Sequence, residues 1–364
     1  MSAICELVSC EAIQQTLDTA FGYDNMAPEN LGTLAYVFSP ENVNAAQVTA
    51  VTGRPSKVNP VKVIWDQRFT EDEIEEGRGG CSMSDKICDL STVYNFDTTV
   101  AYHKGFAVDA LDLAGTCEEN SSIIARKVAK LINLADIHNA KLLADAIAAQ
   151  YGRWSVDTAN GRGVGMTANV LQVNDYIGTS GDPNPVLMQQ IRKALQKSRI
   201  EGGIVSGGDA LDDYFQRSFS RNGAASGWDI TEMVSRYGFA PVYDRFLADA
   251  LASVNATNAA IGRGGVVPLV FNLFAEQFNK MNDSTNIADV VFSPNTGIPY
   301  DLIIHRPCPT DPWNVSVSTS VDFVTMPDEL YKATDNLFGV KNLALLNVTC
   351  DDLAPCQAAR EVIG

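Results

Sequence analysis

The side chains that most often carry chemistry are few in this 364-residue chain, and they are poorly grouped. Three histidines are present, His103, His138 and His305, with no His-x-x-x-His or His-Glu-x-x-His pair, so imidazole ligation of a metal has no support. His138 falls beside an apolar helical stripe and is expected to pack there, while His103 and His305 fall in strand patterns without a nucleophile motif. Gly161-Arg-Gly-Val-Gly165 invites a phosphate-loop reading. Its third Gly is misplaced for a dinucleotide fingerprint, and Met166–Val173 reads as a strand where a helix is required, so a plain turn is expected. Ser206 sits in Glu201-Gly-Gly-Ile-Val-Ser-Gly-Gly208, but Ile204 stands where the first Gly of Gly-x-Ser-x-Gly belongs. Asp212/Asp213 and Asp351/Asp352 are sequence neighbours, which do not face one another on a helix. The cysteines at 5, 10, 81, 88, 117, 308, 350 and 356 include no Cys-x-x-Cys, and the spacings of Cys5/Cys10 and Cys81/Cys88 suit zinc poorly. The expectation is a chain with no catalytic, cofactor-binding or metal-ligating residue, no cofactor and no enzymatic activity.

The elements around these residues are more informative. Residues 1–50 hold a short helix candidate, Glu11–Thr19, then closely spaced Asn, Gly, Pro and Ser, which predicts an extended arm tied down by contacts. Residues 51–110 read as a hairpin of strands Val61–Phe69 and Thr92–His103, with Tyr94, Phe96, Val100 and Tyr102 sharing a face. Between the strands lie Glu71, Asp72, Glu73, Glu75, Glu76 and then Gly77, Gly79 and Gly80. This is either a solvated loop or a charged contact surface for another subunit. In residues 111–159 the dominant signal is a helix over Asn120–Tyr151, capped by Asn120 or Ser121 and about 45 Å long. Ile124, Val128, Leu131, Ala135, Leu142, Ala146 and Ala149 form its predicted apolar stripe, with Arg126, Lys130, Asn133 and Lys141 opposite. Leu134 and Ile137 break that polar face, which predicts partial cover over it.

Residues 160–300 read as a mixed lobe, with helices expected at Val186–Ser198, Ala210–Phe219, Ile230–Tyr237, Pro241–Val254 and Val267–Lys280. Residues 301–364 supply strands at Asp301–His305, Trp313–Thr325 and Asn342–Thr349, then a polar tail. Trp313–Thr325 alternates almost without a break and spans about 40 Å, twice the usual strand. A strand and helix of such matched length make an elongated slab, which an ordinary globular enzyme seldom needs.

Composition sets the outer limits. With 27 Lys+Arg against 44 Asp+Glu the net charge is −17, which disfavours direct binding to nucleic acid or an anionic membrane. A 46% hydrophobic content excludes disorder. Met1-Ser-Ala-Ile-Cys-Glu6 carries no basic n-region or apolar stretch, so synthesis in a host cytoplasm and reduced thiols are expected. No window is apolar enough for a membrane span.

The succession of arm, acidic-tipped hairpin, long helix, mixed lobe and long C-terminal strand resembles the tailed-bacteriophage major capsid proteins of the Hong Kong 97-like fold. That resemblance implies an α+β fold with an N-arm (1–50), an E-loop (51–110), a spine helix (111–159), an A domain (160–300) and a P-domain sheet with C-terminal tail (301–364). It implies a virion protein whose partners are its own copies, in hexamers and pentamers of an icosahedral shell. Scaffold, portal and decoration proteins are further implied partners, with packaged double-stranded DNA met only indirectly and no membrane. Some members weld subunits through a Lys–Asn bond, but Lys57, Lys62 and Lys86 match none of that chemistry. The competing readings are a minor capsid or tail structural protein and a cytosolic α/β enzyme with an unrecognised site.

Overall fold

The computed structural model describes residues 31–42, 48–50, 58–65, 90–97, 102–108, 117–150, 166–167, 170–174, 191–192, 203–208, 238–272, 281–282, 286–306, 311–325 and 343–349. In chain order these give α1 (Gly32–Phe38), β1 (Val48–Ala50), β2 (Val58–Trp65), β3 (Leu90–Asp97), β4 (Tyr102–Val108) and α2 (Cys117–Ala148). They continue with β5 (Met166–Thr167), β6 (Val170–Asn174), β7 (Ile204–Gly207), β8 (Ala240–Tyr243), α3 (Arg245–Ala252) and β9 (Asn258–Ile261). The last are β10 (Val267–Phe271), β11 (Met281–Asn282), β12 (Asn286–Phe292), β13 (Pro299–His305), β14 (Trp313–Val324) and β15 (Leu343–Thr349).

These strands form three sheets. The first, β1-β2-β3, is antiparallel and contains the expected hairpin. The second runs β10-β14-β13-β12-β11, with β4 also paired to β14. Its centre is the long strand: β4 and β13 flank Asn314–Ser318, and β10 takes the second half from Ser320 to Val324. The third, β5-β6-β15-β9-β7-β8, is mixed, with β15 parallel to β6 and β7 parallel to β8. The sheets do not follow the expected segment boundaries, because β10 to β13 join β14 while β15 crosses back between β6 and β9.

β14 packs along α2, and the core lies between them. Trp313, Val315, Val317, Val321 and Phe323 are buried, while Asn314 and Asp322 are exposed, as the alternation predicts. The buried stripe of α2, however, is rotated from the expected one. Ile124, Val128 and Ala135 are in it, joined by Ala125, Ala129, Ile132, Ala140, Leu143, Ala144 and Ile147. Leu131 and Ala146 are half-buried, and Leu142 and Ala149 are exposed. The reason is chemical: the true stripe carries Asp136 and Asn139, both fully buried, and these polar residues interrupt its apolar period. The helix also starts three residues earlier than expected, at Cys117.

Other expectations are corrected. Thr92–His103 is not one strand: β3 pairs with β2, and β4 pairs with β14 in another sheet. Val267–Lys280 was expected to be helical, but it begins as a strand, β10, because Val266, Val267 and Val270 favour the pleated surface. Pro268, without an N–H, is tolerated there since β10 is an edge strand. Pro241–Val254 is β8 followed by α3, the boundary being Asp244, whose Oδ1 accepts the Leu247 N–H at 3.1 Å. Such an N-cap contributes about 1 kcal/mol. Within the predicted arm, residues 31–42 form α1 and a turn that enter the core through Leu31, Leu34 and Val37. The candidates at Glu11–Thr19, Ala210–Phe219 and Ile230–Tyr237 lie outside the described residues, as does most of Val186–Ser198.

Candidate functional site

The sequence-singled residues do not converge. His103, His138 and His305 are all exposed on different elements, and the His138 ring lies 5.8 Å from that of Tyr102 instead of in the core. Ser206 is fully buried in β7 and its hydroxyl meets that of Thr33, so it anchors α1 and is not presented at a turn. The Gly-rich run around it has a steric cause. A Cβ on Gly203 (φ +94°) would stand 2.0 Å from the Ile261 carbonyl oxygen, and one on Gly207 (φ +132°) 2.6 Å from that of Thr257. Met166–Val173 is extended, as expected, but not as one strand: Met166–Thr167 turns back to pair antiparallel with Val170–Leu171. Gly161–Gly165, Asp212/Asp213, Asp351/Asp352, the acidic run 71–76, Lys57, Lys86 and the cysteine side chains lie outside the described residues. Among the described residues no group of three His, Cys, Asp or Glu is placed to hold a metal, and no helix is long and apolar enough to cross a membrane.

What the fold does bring together is a set of buried polar ties. Asp136, on the core side of α2, accepts hydrogen bonds from the Ser293 hydroxyl (2.6 Å), the Tyr300 hydroxyl (2.6 Å) and the Thr296 hydroxyl (3.0 Å). The Tyr300 oxygen in turn accepts from Asn139 Nδ2 at 3.1 Å. Ser293 and Thr296 belong to the β12–β13 turn, which Gly297 closes at φ +72°. Burial raises the Asp136 pKa, partly offset by its three hydroxyl donors. Burial first, and then the neighbouring Asp136 charge, raises that of Tyr300 well above its ordinary value. A buried carboxylate that accepts from three hydroxyls is a rivet between helix and sheet.

Two further ties hold the N-terminal segment. Thr33 contacts Ser206 and donates to Asp244, whose pKa burial raises. Asn42, fully buried, donates through Nδ2 to the carbonyls of Val37 and Val266, each at 2.9 Å, and accepts the Gly264 N–H at 3.0 Å. Asn42→Ala strands the Val37 and Val266 carbonyls, while the Gly264 N–H keeps the backbone carbonyl of residue 42 at 2.8 Å, and urea unfolding is expected to register a loss of about 2 kcal/mol. Apart from Ser206, which drew notice only as a rejected nucleophile candidate, none of these polar groups was selected by the sequence patterns. The only signal for them is polar residues at positions where the period demands apolar ones.

No family model matches the chain, and no curated protein does. Among solved structures the chain is similar to one from Mycobacterium phage Che8, at 10% identity and a TM-score of 0.35, covering 85% of this chain and 95% of that one. It is similar to a chain of the Cyanophage A-1(L) capsid asymmetric unit, at 11% identity and a TM-score of 0.44, covering 89% and 94%. It is also similar to a chain of the capsid of Ralstonia phage GP4, at 10% identity and a TM-score of 0.37, covering 79% and 86%. The likeness in fold is to phage capsid chains.

Proposed function

We propose that this chain is a structural virion protein, the major capsid protein of a tailed phage, whose copies assemble into an icosahedral shell around double-stranded DNA. The observation that carries this reading is the slab: a 32-residue helix, about 48 Å long, lying along a 12-residue strand of about 40 Å. A flat two-layer tile of this length offers long edges to neighbours. On this reading α2 is the spine helix, the second sheet the P domain, the third sheet the A domain, and the β2–β3 hairpin the E-loop. The Asp136 rivet holds spine and P-domain sheet as one rigid unit, and α1 fastens the arm to it. A net charge of −17 keeps packaged DNA from adsorbing to the shell as a whole.

Negative-stain electron microscopy of the purified chain over a concentration series, beside analytical ultracentrifugation, tests the reading. Shells, hexameric or pentameric rings, or curved sheets are expected. A compact monomer at every concentration would sink it.

A further inference from the structure

The second and third sheets belong to two bodies that the chain joins through a run of glycines. The Asp136 rivet makes α2 one body with the second sheet. The third sheet carries α3, packed against β7 and β9. The bodies meet where Leu247 and Leu251 of α3 join the apolar stripe of α2. Apolar contact is non-directional, so it resists separation far more than sliding. The chain passes from one body to the other between β9 and β10, through Gly262-Arg263-Gly264-Gly265-Val266. There the Gly265 N–H donates to the Gly262 carbonyl at 3.0 Å, and Gly264 stands at φ +70°. Three glycines in this crossing leave few backbone rotations blocked by side chains.

A crossing of this kind keeps one angle only when something else holds it, and the segment 31–42 is built to do so. Near its start Thr33 meets Ser206 of β7 and donates to Asp244, both in the third-sheet body. Farther on, Phe38 sets its ring edge-on to Phe323 of β14, with centroids 6.1 Å apart and planes at 82°. At its end Asn42 grips the crossing itself. Its Nδ2 donates to the Val266 carbonyl at 2.9 Å, and the Gly264 N–H is shared between Asn42 Oδ1 at 3.0 Å and the Asn42 backbone carbonyl at 2.8 Å. Asn42, Gly264 and Gly265 are all buried, so water does not compete for these bonds.

We propose that Gly262–Gly265 is a hinge between the two sheet bodies and that the segment 31–42 is its lock: Thr33 fastens the lock to the third sheet, and Asn42 seats on the hinge and sets the angle. With Asn42 seated the bodies hold one arrangement; with Asn42 withdrawn the α2–α3 contact slides and a second arrangement becomes populated. Five residues after Asn42 the chain enters β1 of the first sheet, so a displacement of that sheet acts directly on the lock. The device lies within one chain and stands whatever the copies do among themselves.

The test is a distance measurement in the full-length chain. Nitroxides are carried on p-acetylphenylalanine in place of Asp249 of α3 and Asn314 of β14, both exposed, which leaves the eight cysteines unlabelled. Dilution with unlabelled chain restricts double electron–electron resonance to pairs within one molecule. The wild type is expected to give one narrow distance. Asn42→Ala is expected to raise a second distance about tenfold above the wild-type level. Thr33→Val is expected to leave the single distance in place, because Asn42 still grips the hinge. Thr33→Val/Asn42→Ala is expected to give the largest second population. A folded double variant with the wild-type distance overturns the proposal. Equal broadening by the two single variants overturns it as well, since that is general loosening and not release of a hinge. Hydrogen exchange of the unsubstituted chain supplies an arm that needs no variant to fold. The Gly264 amide is expected to exchange together with the amides of α1, and about tenfold or more faster than those of β14. A Gly264 amide as protected as β14 would show that the hinge opens only when the whole chain unfolds, and would sink the lock.

Discussion

Ile132→Asp is expected to leave no folded protein at 37 °C. Ile132 is fully buried at the centre of the α2 stripe, against the sheet built on β14. The substitution removes one of the larger core side chains, worth about 2–5 kcal/mol in comparable truncations. It also places a carboxylate among apolar atoms without the hydroxyl donors that Asp136, one turn on, possesses, at a cost of several kcal/mol more. Together these rival the whole stability of a typical domain, about 5–15 kcal/mol. The control sits two residues away. Leu134 is exposed, so Leu134→Asp is expected to change stability by about 0.5 kcal/mol or less. Far-UV circular dichroism and urea titration distinguish the two. A folded Ile132→Asp beside an unfolded Leu134→Asp would mean that the wrong face of α2 has been assigned to the core.

That contrast also marks what the sequence could disclose. The existence of α2 and β14 was legible, because each is long and strongly periodic and small errors at the ends leave the pattern intact. The rotation of the α2 stripe was not. A purely apolar template prefers Leu131 and Leu142 to a stripe that contains Asp136 and Asn139, and only the β12–β13 turn supplies the hydroxyls that make those residues acceptable inside. Those partners are more than 150 residues distant in sequence, beyond any local pattern. β10 failed for a related reason: five residues of Val, Pro, Leu, Val and Phe fit a buried helix or an edge strand equally well until β14 is there to pair with. The docking of α1 was half legible. Closely spaced Asn, Gly, Pro and Ser pointed to a segment held by contacts, but the distant partners of Thr33 and Asn42 lie in β7, Asp244 and the Gly264–Val266 stretch. As for function, the absence of catalytic spacing directed attention to shape, and Arg126, Lys130 and Lys141, placed opposite the apolar stripe by the helical period, are exposed.

Asp136 is the second site where a large effect is expected, and its sign with pH can be worked out. Asp136→Ala deprives Ser293, Thr296 and Tyr300 of their shared acceptor and opens a small cavity. The loss is expected to be about 3–5 kcal/mol in urea unfolding, as for other buried charged networks broken on one side. Asp136→Asn is the informative variant, since it keeps the shape and one carbonyl acceptor. In the native chain burial raises the pKa of Asp136 above its ordinary value, so the folded state holds this proton more tightly than the unfolded state does. The contribution is therefore fully present below the unfolded value of 3.8 and is lost as pH rises through the folded pKa. The slope attributable to one such group cannot exceed about 1.4 kcal/mol per pH unit. Asp244, raised by burial as well, acts in the same direction and is common to both proteins, so the difference between wild type and Asp136→Asn isolates the rivet. Stability of the wild type should fall more steeply than that of Asp136→Asn across the acid range above 3.8, and the two curves should run parallel at neutral pH and beyond. Parallel curves throughout would show that the carboxylate titrates alike in the folded and unfolded chains. The tie between α2 and the β12–β13 turn would then not be a desolvated one.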